Sequence, residues 1–385
     1  MNIAFVSTYD ARDSNDFGGR GYYMAQALKN QSVSLKYIGP LRRKYTHRVL
    51  LRTKYLFYLY MTGKIYSIHR DRILLKSYAK QIKNKLNRLD VDIVFSPTSP
   101  GSQPTAYLDT DKPIAMWTDT PLAGAINYYP NLSNLCNETL RDGITHERFA
   151  LEKCSLAIYK SEWAAQTAIK TYHADPAKVK VVPGGPHLVC NRTMKQIEAL
   201  IRSRPTQKCR LFFFGADWLR KGGAIAVAVA TELNKRGLNT ELVIAGCQPP
   251  LKPIPSHIRI LGYLDKSTKD GLCMINKLYS QSHFLIVTSR AEALGIVFCE
   301  ASSFGLPSIA TKVGGIPTAV RDGINGMTFA KNAEISEYCN YIYDLFSDYE
   351  RYKQLALSSF TEYQSRLNWG VAGKIVTKLL NELIS

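Results

Sequence analysis

The sequence predicts an α/β protein of two domains, each built on a parallel sheet with helices packed against it. The chain has 385 residues, which is too long for one ordinary core and suits two domains of roughly 150 to 200 residues. Short apolar runs rich in β-branched and aromatic residues recur along both halves, and most are separated by segments long enough to hold a helix. This alternation of strands and helices is typical of parallel, helix-flanked sheets.

The first half begins with a strand, a polar loop and a helix. An apolar run at 3–6 is followed by a loop that ends in Gly18 and Gly19, and then by apolar residues at helical spacing. The run Val-Lys-Val-Val-Pro-Gly-Gly-Pro at 179–186 indicates a last strand followed by turn residues that cannot continue it. We therefore expect an N-terminal domain over residues 1–188. Its other predicted strands lie at 34–38, 92–96, 114–117 and 156–159.

The second half repeats this architecture without repeating the sequence. It begins with an apolar strand at 211–214, a loop at 215–223 and a helix rich in Ala and Val at 224–235. We expect a C-terminal domain over residues 189–365. The remaining residues, 366–385, carry apolar side chains at helical spacing and are predicted to form an amphipathic helix that packs on another part of the chain. Further strands of this half are predicted at 241–245, 258–261, 284–288 and 307–311.

The composition excludes several classes of protein. Hydrophobic residues make up 45% and charged residues 21% of the chain, a balance typical of soluble globular proteins rather than disordered or fibrous ones. No apolar run approaches the roughly 20 residues that cross a bilayer, and the first residues lack a basic leader followed by an apolar stretch. The eight cysteines show no C-x-x-C spacing of a zinc or redox site. We expect a cytoplasmic protein with reduced thiols and no metal site.

Positive charge is concentrated in the basic segment, residues 41–90. The chain has a net charge of +19, and this segment carries 14 Lys and Arg against 2 Asp, which is +12. Its charges are interleaved with apolar and aromatic side chains at 55–60, so it is too apolar for a free solvated tail. We predict that it forms helices at the edge of the N-terminal domain.

Two interpretations of the basic segment remain open. Basic residues beside exposed aromatic rings suit adsorption to an anionic membrane surface, at about 1 kcal/mol per Lys or Arg near the surface. The protein would then lie on the inner face of the plasma membrane. Alternatively, the aromatic rings belong to the core and the charges form an ordinary solvated face. A nucleic-acid partner is not expected, because no helix-turn-helix, zinc-finger or RNA-binding signature accompanies the charge.

Two glutamates, Glu292 and Glu300, flank the loop and first turns of a helix after the predicted strand at 284–288. In a parallel sheet, ligands bind at the carboxyl ends of the strands. Glu292 lies before the helix and Glu300 about two turns further on, so the two carboxylates can contact different ends of one extended ligand. A carboxylate is a natural acceptor for sugar hydroxyls. For such a pair alone, two solvated side chains beside an ordinary helix are the simpler interpretation.

The backbone between the two glutamates suits an anion. Gly295 allows the chain to approach a ligand closely. The amides of Leu294, Ile296 and Val297 would form the first turn of the helix, where backbone N–H groups lack helical partners. A diphosphate fits that chemistry.

The spacing of Glu292 and Glu300 resembles the E-x7-E motif of retaining glycosyltransferases of family four. Members of that family have the GT-B fold, in which two Rossmann-like domains face each other across a cleft and a C-terminal helix crosses back to the N-terminal domain. The segment Gly-Ala-Asp-Trp-Leu-Arg-Lys-Gly-Gly at 215–223 resembles the donor-phosphate loop of the family. The resemblance implies that Arg220 and Lys221 neutralise the diphosphate as it leaves. A solvated basic turn is the alternative.

Three further segments resemble the family in the expected order. Val-Gly-Gly-Ile-Pro at 313–317, with Asp-Gly-Ile-Asn-Gly at 322–326, resembles the glycine-rich segment after the E-x7-E helix. The loop at Gly18 and Gly19 resembles the diphosphate contact of the first domain. Leu-Asn-Trp-Gly-Val-Ala at 367–372 resembles the usual start of the last helix.

Three positions depart from the family pattern. Ala216 stands where many relatives carry an arginine, and Thr318 stands where a glutamate often follows the proline. Many members present a histidine to the donor sugar from the first domain, whereas the corresponding strand end here is Trp-Thr-Asp-Thr-Pro at 117–121. Asp119 would there accept a hydrogen bond from a sugar or acceptor hydroxyl, or it would simply cap the next helix.

The resemblance implies a retaining, hexosyltransferase-type enzyme that moves a sugar from a nucleoside diphosphate sugar to a hydroxyl group. A UDP-sugar is the favoured donor, and the acceptor is a glycan or a lipid-linked molecule of cell-envelope or polysaccharide synthesis. The donor would bind mainly the second domain, with Glu292 at the transferred sugar and Glu300 at the ribose. Family members generally need no metal or cofactor. Two other functions remain open: a sugar-nucleotide-binding scaffold without transfer activity, and another GT-B enzyme such as an epimerase.

Overall fold

The computed structural model describes residues 1–97, 99 and 101–384, which form two compact units. Unit 1 contains Met1–Pro183 and Ala372–Ser385, and unit 2 contains Gly184–Val371. The domain limits drawn from the sequence stay a prediction and differ from these units by a few residues at each boundary.

Unit 1 alternates strands and helices from its first residues. Its strands are β1 (Asn2–Val6), β2 (Ser34–Ile38), β3 (Ile93–Ser96), β4 (Ile114–Thr118), β5 (Leu156–Tyr159) and β6 (Val179–Val181). Its helices are α1 (Arg20–Lys29), α2 (Tyr45–Thr62), α3 (Arg72–Leu86), α4 (Leu122–Ala125), α5 (Asn137–Lys153) and α6 (Glu162–Tyr172). Short 3-10 helices lie at Asp16–Gly19, Ile68–Arg70, Pro104–Tyr107 and Pro130–Leu132.

The sheet of unit 1 is parallel throughout, in the order β2-β1-β3-β4-β5-β6. In the centre, Ile3 of β1 pairs with Leu35 on one side and Ile93 on the other. Strands β3, β4 and β5 are buried along their whole length, as parallel strands covered by helices on both faces must be. The strand order reverses at β1. A ligand is therefore expected where the carboxyl ends of β1 and β3 diverge.

Unit 2 repeats the alternation. Its strands are β7 (Cys209–Phe214), β8 (Thr240–Ala245), β9 (Ile258–Gly262), β10 (Phe284–Val287), β11 (Ser308–Thr311) and β12 (Gly326–Phe329). Its helices are α7 (Met194–Arg202), α8 (Gly223–Lys235), α9 (Lys269–Gln281), α10 (Ile296–Ser302), α11 (Ile316–Ala319), α12 (Ile335–Ser347) and α13 (Tyr349–Ser365). A last helix, α14 (Trp369–Asn381), begins in unit 2 and continues into unit 1.

The sheet of unit 2 is also parallel, in the order β12-β11-β10-β7-β8-β9. Leu211 of β7 pairs with Phe284 of β10 on one side and with Leu242 of β8 on the other. The order reverses at β7. The loops after β7 and β10 therefore emerge side by side at the carboxyl edge of the sheet, which is the ligand position of open α/β sheets.

The α/β class and the parallel sheets predicted from the sequence are confirmed, and each predicted strand overlaps an observed one. Strand β12 was not predicted, because Gly-Met-Thr-Phe follows a turn-rich segment and begins with glycine. Gly326 has φ +153°, and a Cβ there would lie 2.0 Å from the carbonyl oxygen of Ser308. Glycine thus lets this edge strand approach β11, a packing requirement that four residues of sequence do not reveal.

The basic segment folds as two helices, α2 and α3, on unit 1. Leu51 is the buried residue of α2. Lys54 anchors the same face, with its Nζ 2.6 Å from Glu138 Oε1 and 3.1 Å from Asp71 Oδ2. None of the side chains at 55–60 is buried, so these aromatic rings do not form part of the core. In the described part of the chain, no helix combines the length and hydropathy needed to span a bilayer.

Helix α14 packs closely on α1 within unit 1. A Cβ at Gly373 would lie 2.3 Å from the carbonyl oxygen of Ala27, so a side chain at this position would push the two helices apart. Val376 and Leu380 of α14 are fully buried. Of the apolar positions that predict this helix, Leu380 lies on the packing face, whereas Ile375 is exposed. The other buried residues of the helix are Ala372, Gly373 and Val376.

Glu147 is a fully buried carboxyl group between α5 and the start of α4. Its Oε1 accepts a hydrogen bond from Gln103 Nε2 at 2.9 Å, and its Oε2 accepts from Tyr172 Oη at 2.9 Å and from the backbone N–H of Leu122 at 2.5 Å. Burial raises the pKa of Glu147 to about 7, although these hydrogen bonds act in the opposite direction. The carboxyl group is therefore easier to protonate in the folded state than in the unfolded chain.

Replacing Glu147 by glutamine is expected to flatten the pH dependence of folding stability. Between pH 4.5 and 7 the folded wild-type protein binds more protons than the unfolded chain, so its free energy of unfolding falls as pH rises. At pH values above the folded-state pKa, the wild-type protein should have lost about 3 kcal/mol of unfolding free energy. This loss should be absent in Glu147→Gln. Urea unfolding at several pH values measures it, with Glu152→Gln on the exposed face of the same helix as control. Equal slopes in all three proteins would contradict the expectation.

Candidate functional site

The candidate donor site lies on unit 2, in the adjacent loops that follow β7 and β10. Gly222 is essential to the first loop, because its φ is +72° and a Cβ would lie 2.0 Å from the carbonyl oxygen of Thr288. Gly215 has a similar role, since its Cβ would lie 2.8 Å from Cγ of Lys221. The glycines thus allow the first loop to lie against the end of β10, with the stem of Lys221 folded over it.

This packing brings Arg220, Lys221 and Glu292 together. Lys221 Nζ forms an ion pair with Glu292 Oε2. Arg220 Nη1 lies 3.3 Å from the same oxygen and donates to the carbonyl of Ala291 at 3.0 Å. The backbone joins the loops as well, because the N–H of Arg290 donates to the carbonyl of Arg220 at 2.7 Å. Two loops that are about 70 residues apart in sequence therefore form one polar cluster.

The two cations control the ionisation of Glu292. Burial alone would raise the pKa of Glu292, but the charges and hydrogen bonds of Lys221 and Arg220 lower it below its ordinary value. Glu292 is thus an anion that accepts hydrogen bonds and holds two cations at the carboxyl edge of the sheet. Asp217 Oδ2 also lies 3.6 Å from Arg220 Nε, so two carboxylates balance the two cations. The guanidinium and ammonium groups are the donors of this cluster that a diphosphate would use.

Gly295 and the start of α10 complete the second loop. Gly295 has φ +87°, and a Cβ there would lie 2.5 Å from the ring of Phe298. Leu294 is buried, and Ile296 and Val297 are half-buried at the first turn of α10. The glycine-rich segment packs on this loop, since the N–H of Gly315 donates to the carbonyl of Glu292 at 2.9 Å.

Glu300 lies inside unit 2 and not at its surface. It is fully buried, and its Oε2 accepts from Tyr279 Oη at 2.8 Å. Its Oε1 is 2.5 Å from Lys266 Nζ and accepts from the backbone N–H of His187 at 3.3 Å. The predicted contact of Glu300 with a ribose stays a prediction. A ribose hydroxyl would share Oε1 with Lys266, whose side chain is one-third exposed and lies over the ring of Phe214.

In unit 1, Asp119 follows β4 and lies between two cations. Its Oδ2 is 2.5 Å from Arg20 Nη2, and its Oδ1 is 2.8 Å from Lys160 Nζ. The N-cap of α4 is Pro121, without a side-chain cap, so the alternative that Asp119 caps this helix is wrong. Arg20 directly follows Gly18 and Gly19, which both have left-handed backbone conformations. The catalytic role of Asp119 stays a prediction.

Sequence reasoning missed Lys160, Arg20 and Lys266. Lys160 directly follows β5, and a lysine that ends an apolar parallel strand is a usable signal for a buried polar group at the ligand edge. Arg20 directly follows Gly18 and Gly19 in the sequence, and this position next to a predicted diphosphate contact was a usable signal. Lys266 gave no signal, because it lies in an irregular loop after β9 and meets Glu300 only in the folded unit.

Known glycosyltransferases resemble parts of this chain in sequence. Residues 198–358 match the family model described as Glycosyl transferases group 1. A D-inositol 3-phosphate glycosyltransferase of Acidothermus cellulolyticus is 28% identical over 177 residues, which are 42% of this chain and 39% of the relative. The same enzyme of Thermobifida fusca is 26% identical over 280 residues, which are 67% of this chain and 63% of the relative. The chain thus matches less than two thirds of the length of either relative.

The fold resembles solved structures over nearly the whole chain. A glycosyltransferase from Rickettsia africae has a TM-score of 0.66 at 15% identity, and the match covers 100% of this chain and 98% of the other. Anabaena Alr3699/HepE, solved in complex with UDP, has a TM-score of 0.66 at 16% identity and covers 99% of this chain and 100% of its own. At such identities the likeness shows the fold alone, which is GT-B. The family model, the curated relatives and this fold together support the assignment of the chain to the family-four glycosyltransferases of the GT-B fold.

Proposed function

We propose that this chain transfers a sugar from a nucleoside diphosphate sugar to a hydroxyl group of an acceptor, with retention of anomeric configuration and without a metal ion. The observation that carries the proposal is the cluster of Arg220, Lys221 and Glu292 at the carboxyl ends of β7 and β10. Two cations held beside a glycine-rich loop suit a diphosphate leaving group. UDP is the favoured nucleotide, since the structurally similar Anabaena protein was solved with UDP and with UDP-glucose.

The chemistry follows from where charge develops. As the bond between the sugar and the diphosphate breaks, negative charge grows on the diphosphate, and preorganised cations there stabilise the transition state. Arg220 and Lys221 have this role. Glu292 orients both cations and accepts hydrogen bonds from the transferred sugar. Glu300 binds the nucleotide ribose, and Asp119 accepts a hydrogen bond from a hydroxyl of a glycan or lipid-linked acceptor that binds unit 1.

A thermal-unfolding panel with UDP, GDP, ADP and their sugars tests the donor. A ligand that binds only the folded state stabilises it by about 2.7 kcal/mol at a hundred times its dissociation constant. UDP and a UDP-sugar are expected to raise the unfolding temperature most, with or without EDTA. If none of the nucleotides shifts the temperature, the proposal fails.

Product analysis separates transfer from the other functions. A scaffold would show the thermal shift without turnover, and an epimerase would convert the nucleotide sugar without forming a glycoside. The proposed enzyme releases the nucleoside diphosphate and forms a glycoside with the anomeric configuration of the donor, which NMR of the product determines. A product of inverted configuration would contradict the retaining mechanism.

We further propose that unit 1 associates with an anionic membrane surface through α2, on the cytoplasmic side of the plasma membrane. Tyr45, Phe57, Tyr60 and Met61 are exposed over more than half of their surface on this helix. Arg52 is exposed beside them, with its guanidinium over the ring of Tyr55. Exposed rings among basic residues suit the boundary between lipid headgroups and acyl chains.

Flotation with vesicles tests this surface. The protein is expected to float with vesicles that contain anionic lipid at low salt and to be released at high salt, because surface charge is screened. Phe57→Ser combined with Tyr60→Ser should reduce the floated fraction several-fold. Tyr263→Ser, an equally exposed aromatic residue of unit 2, is the control. Absence of flotation of the wild-type protein at low salt would refute membrane association.

A further inference from the structure

A second concave site, the arginine cavity, lies entirely within unit 1. It has a volume of about 1020 Å³ and opens where the chain leaves β1 at Thr8. Its lining contains five arginines and one carboxylate, Asp16, so its side chains carry a charge of 5 − 1 = +4 with His69 neutral. The five arginines come from the start of α1, from the loop before α2 and its first turn, and from the 3-10 helix after it: Arg20, Arg42, Arg43, Arg48 and Arg70.

Much of this charge is not neutralised by the protein. Among the described residues, no carboxylate forms an ion pair with Arg42, Arg43 or Arg48. Asp16 Oδ2 accepts a hydrogen bond from the backbone N–H of Asp10 at 2.9 Å. A concave surface lined by charge of one sign concentrates its field and attracts counter-ions. The arginine cavity is therefore an anion-attracting site.

His69 contacts Arg43 and directly precedes Arg70 in the chain. Arg43 Nη2 lies 3.1 Å from His69 Nδ1 and 3.2 Å from His69 Nε2, so the guanidinium is in direct contact with the imidazole ring. Burial, together with the charges of Arg43 and Arg70, lowers the pKa of His69. The charges of Arg43 and Arg70 thus act on the imidazole in the same direction as its burial.

Arg70 is held in position from several directions. Its Nη1 donates to Ser67 Oγ at 2.8 Å. A Cβ at Gly101 would lie 3.3 Å from Arg70 Nε, and one at Gly143 would lie 3.3 Å from Arg70 Cδ. A side chain at either glycine would first clash with Leu122, which would lie 2.5 Å from a Cβ at Gly101 and 2.4 Å from one at Gly143, and would also crowd the arginine. Such a fixed guanidinium loses little freedom when it binds a ligand, and its planar group of N–H donors matches phosphate oxygens.

The chemistry of the lining selects among ligands. Acceptors for the hydroxyls of a neutral sugar are present in Asp16, Asn131 and several hydroxyl side chains, but the charged groups of the lining are mostly guanidinium groups. Guanidinium groups donate and do not accept, so several of them on one cavity match an acceptor-rich anion. We propose that the arginine cavity binds a phosphate or diphosphate group carried by the acceptor substrate. The link to an acceptor rests on the proposed glycosyl transfer, whereas anion binding does not.

The cavity also adjoins the exposed apolar surface of α2. Arg43 and Arg48 line the cavity, and Tyr45 and Val49, between and beside them in sequence, are exposed. A phosphate in the cavity could therefore belong to a soluble sugar phosphate or to a lipid whose chain follows α2. The phosphate is the chemistry that the two sources share, and the experiment distinguishes them.

The test is calorimetric titration of the full chain with inorganic pyrophosphate at low salt. The titration uses the Arg220→Ala/Lys221→Ala background, because the proposed donor site would itself bind pyrophosphate. This protein is expected to bind pyrophosphate, and adding Arg43→Ser and Arg48→Ser should weaken binding at least tenfold. Arg52→Ser, one turn from Arg48 on the same helix and outside the cavity, should not. Arg220→Ala combined with Lys221→Ala should leave pyrophosphate binding to unit 1 intact while abolishing the thermal shift by UDP. Circular dichroism of each variant verifies that it is folded.

The outcomes separate this inference from the proposed function. In the Arg220→Ala/Lys221→Ala background, equal pyrophosphate affinity with and without Arg43→Ser/Arg48→Ser, or no binding at all, would overturn the arginine cavity as a phosphate site even if UDP binds the wild-type protein. Binding lost in this variant, with no UDP shift in any protein, would support the cavity while the proposed function fails. If a prenyl diphosphate binds the wild-type protein more tightly than a sugar phosphate does, and if this difference disappears in Tyr45→Ser, the result supports a lipid source. Equal affinities support a soluble phosphate.

Discussion

Replacing Lys221 by alanine is expected to lower kcat/KM for the nucleotide sugar by about 100- to 1000-fold, the usual effect of removing one preorganised group from a site of developing charge. Lys221 is mostly buried, and its Nζ pairs with Glu292 at the carboxyl edge of the second sheet. Without it, the departing diphosphate retains only Arg220 as a neighbouring cation in the cluster. Steady-state kinetics with a UDP-sugar measure the loss, and Lys195→Ala, exposed on α7, is the control.

The partner residue provides a second test of the same cluster. Glu292 holds both cations, so Glu292→Gln alone is expected to be nearly as damaging as Lys221→Ala. In the double variant, the second substitution should cost much less than it does alone, because groups that act as one unit give non-additive losses. Thermal unfolding of each variant separates lost chemistry from lost folding. Fully additive losses, or Lys221→Ala kinetics equal to those of Lys195→Ala, would remove the cluster from the mechanism.

Much of the fold could be predicted because most of its strands correspond to isolated apolar runs in the sequence. Parallel strands covered on both faces must be apolar along their length, and Phe284–Val287 is such a run. The donor loop could also be predicted, because Arg220 and Lys221 lie beside the glycines that their conformation requires. The strands and the donor loop could be predicted because each depends on residues that are close together in the sequence.

The remaining features depend on contacts between distant segments. Glu300 was expected at the surface of a ligand site, but folding places it between Lys266 and Tyr279, which lie 34 and 21 residues away in sequence. Likewise, the charges of the basic segment looked uniform. Only the fold of α2 and the following 3-10 helix separates Arg43, Arg48 and Arg70, which line a cavity, from Arg52, which does not.

The largest loss of stability is expected for Arg204→Met in unit 2. Arg204 is 2% exposed and forms no ion pair with a described residue. Its guanidinium instead donates to the carbonyls of Gly305 at 2.8 Å, Phe304 at 2.8 Å and Ser280 at 3.2 Å. It also donates to Tyr352 Oη at 2.7 Å. One side chain thus joins the ends of α9 and α10 to α13.

Methionine would fill the space of the arginine stem but leave three buried carbonyls without donors. At about 1–3 kcal/mol for each unpaired buried group, with partial relaxation, the free energy of unfolding should fall by about 4 kcal/mol. For a unit of this size that corresponds to a drop of about 10 °C in the unfolding temperature. Scanning calorimetry measures it. Arg202→Met is the matched control, because Arg202 lies two residues earlier, is exposed, and has only a 3.5 Å ion pair with Glu198.

The position of Arg204 makes the result informative about the site as well as about stability. Helix α10 carries Glu300 and follows the loop of Glu292, and the carbonyls of Phe304 and Gly305 lie just beyond its end. If Arg204 fixes α10, then Arg204→Met should weaken UDP binding below its unfolding temperature, while Arg202→Met binds normally. If Arg204 only fills the core, UDP affinity should be unchanged at temperatures where the variant is folded. An unfolding temperature equal to that of Arg202→Met would show that water or neighbouring donors replace the guanidinium, and neither role would then hold.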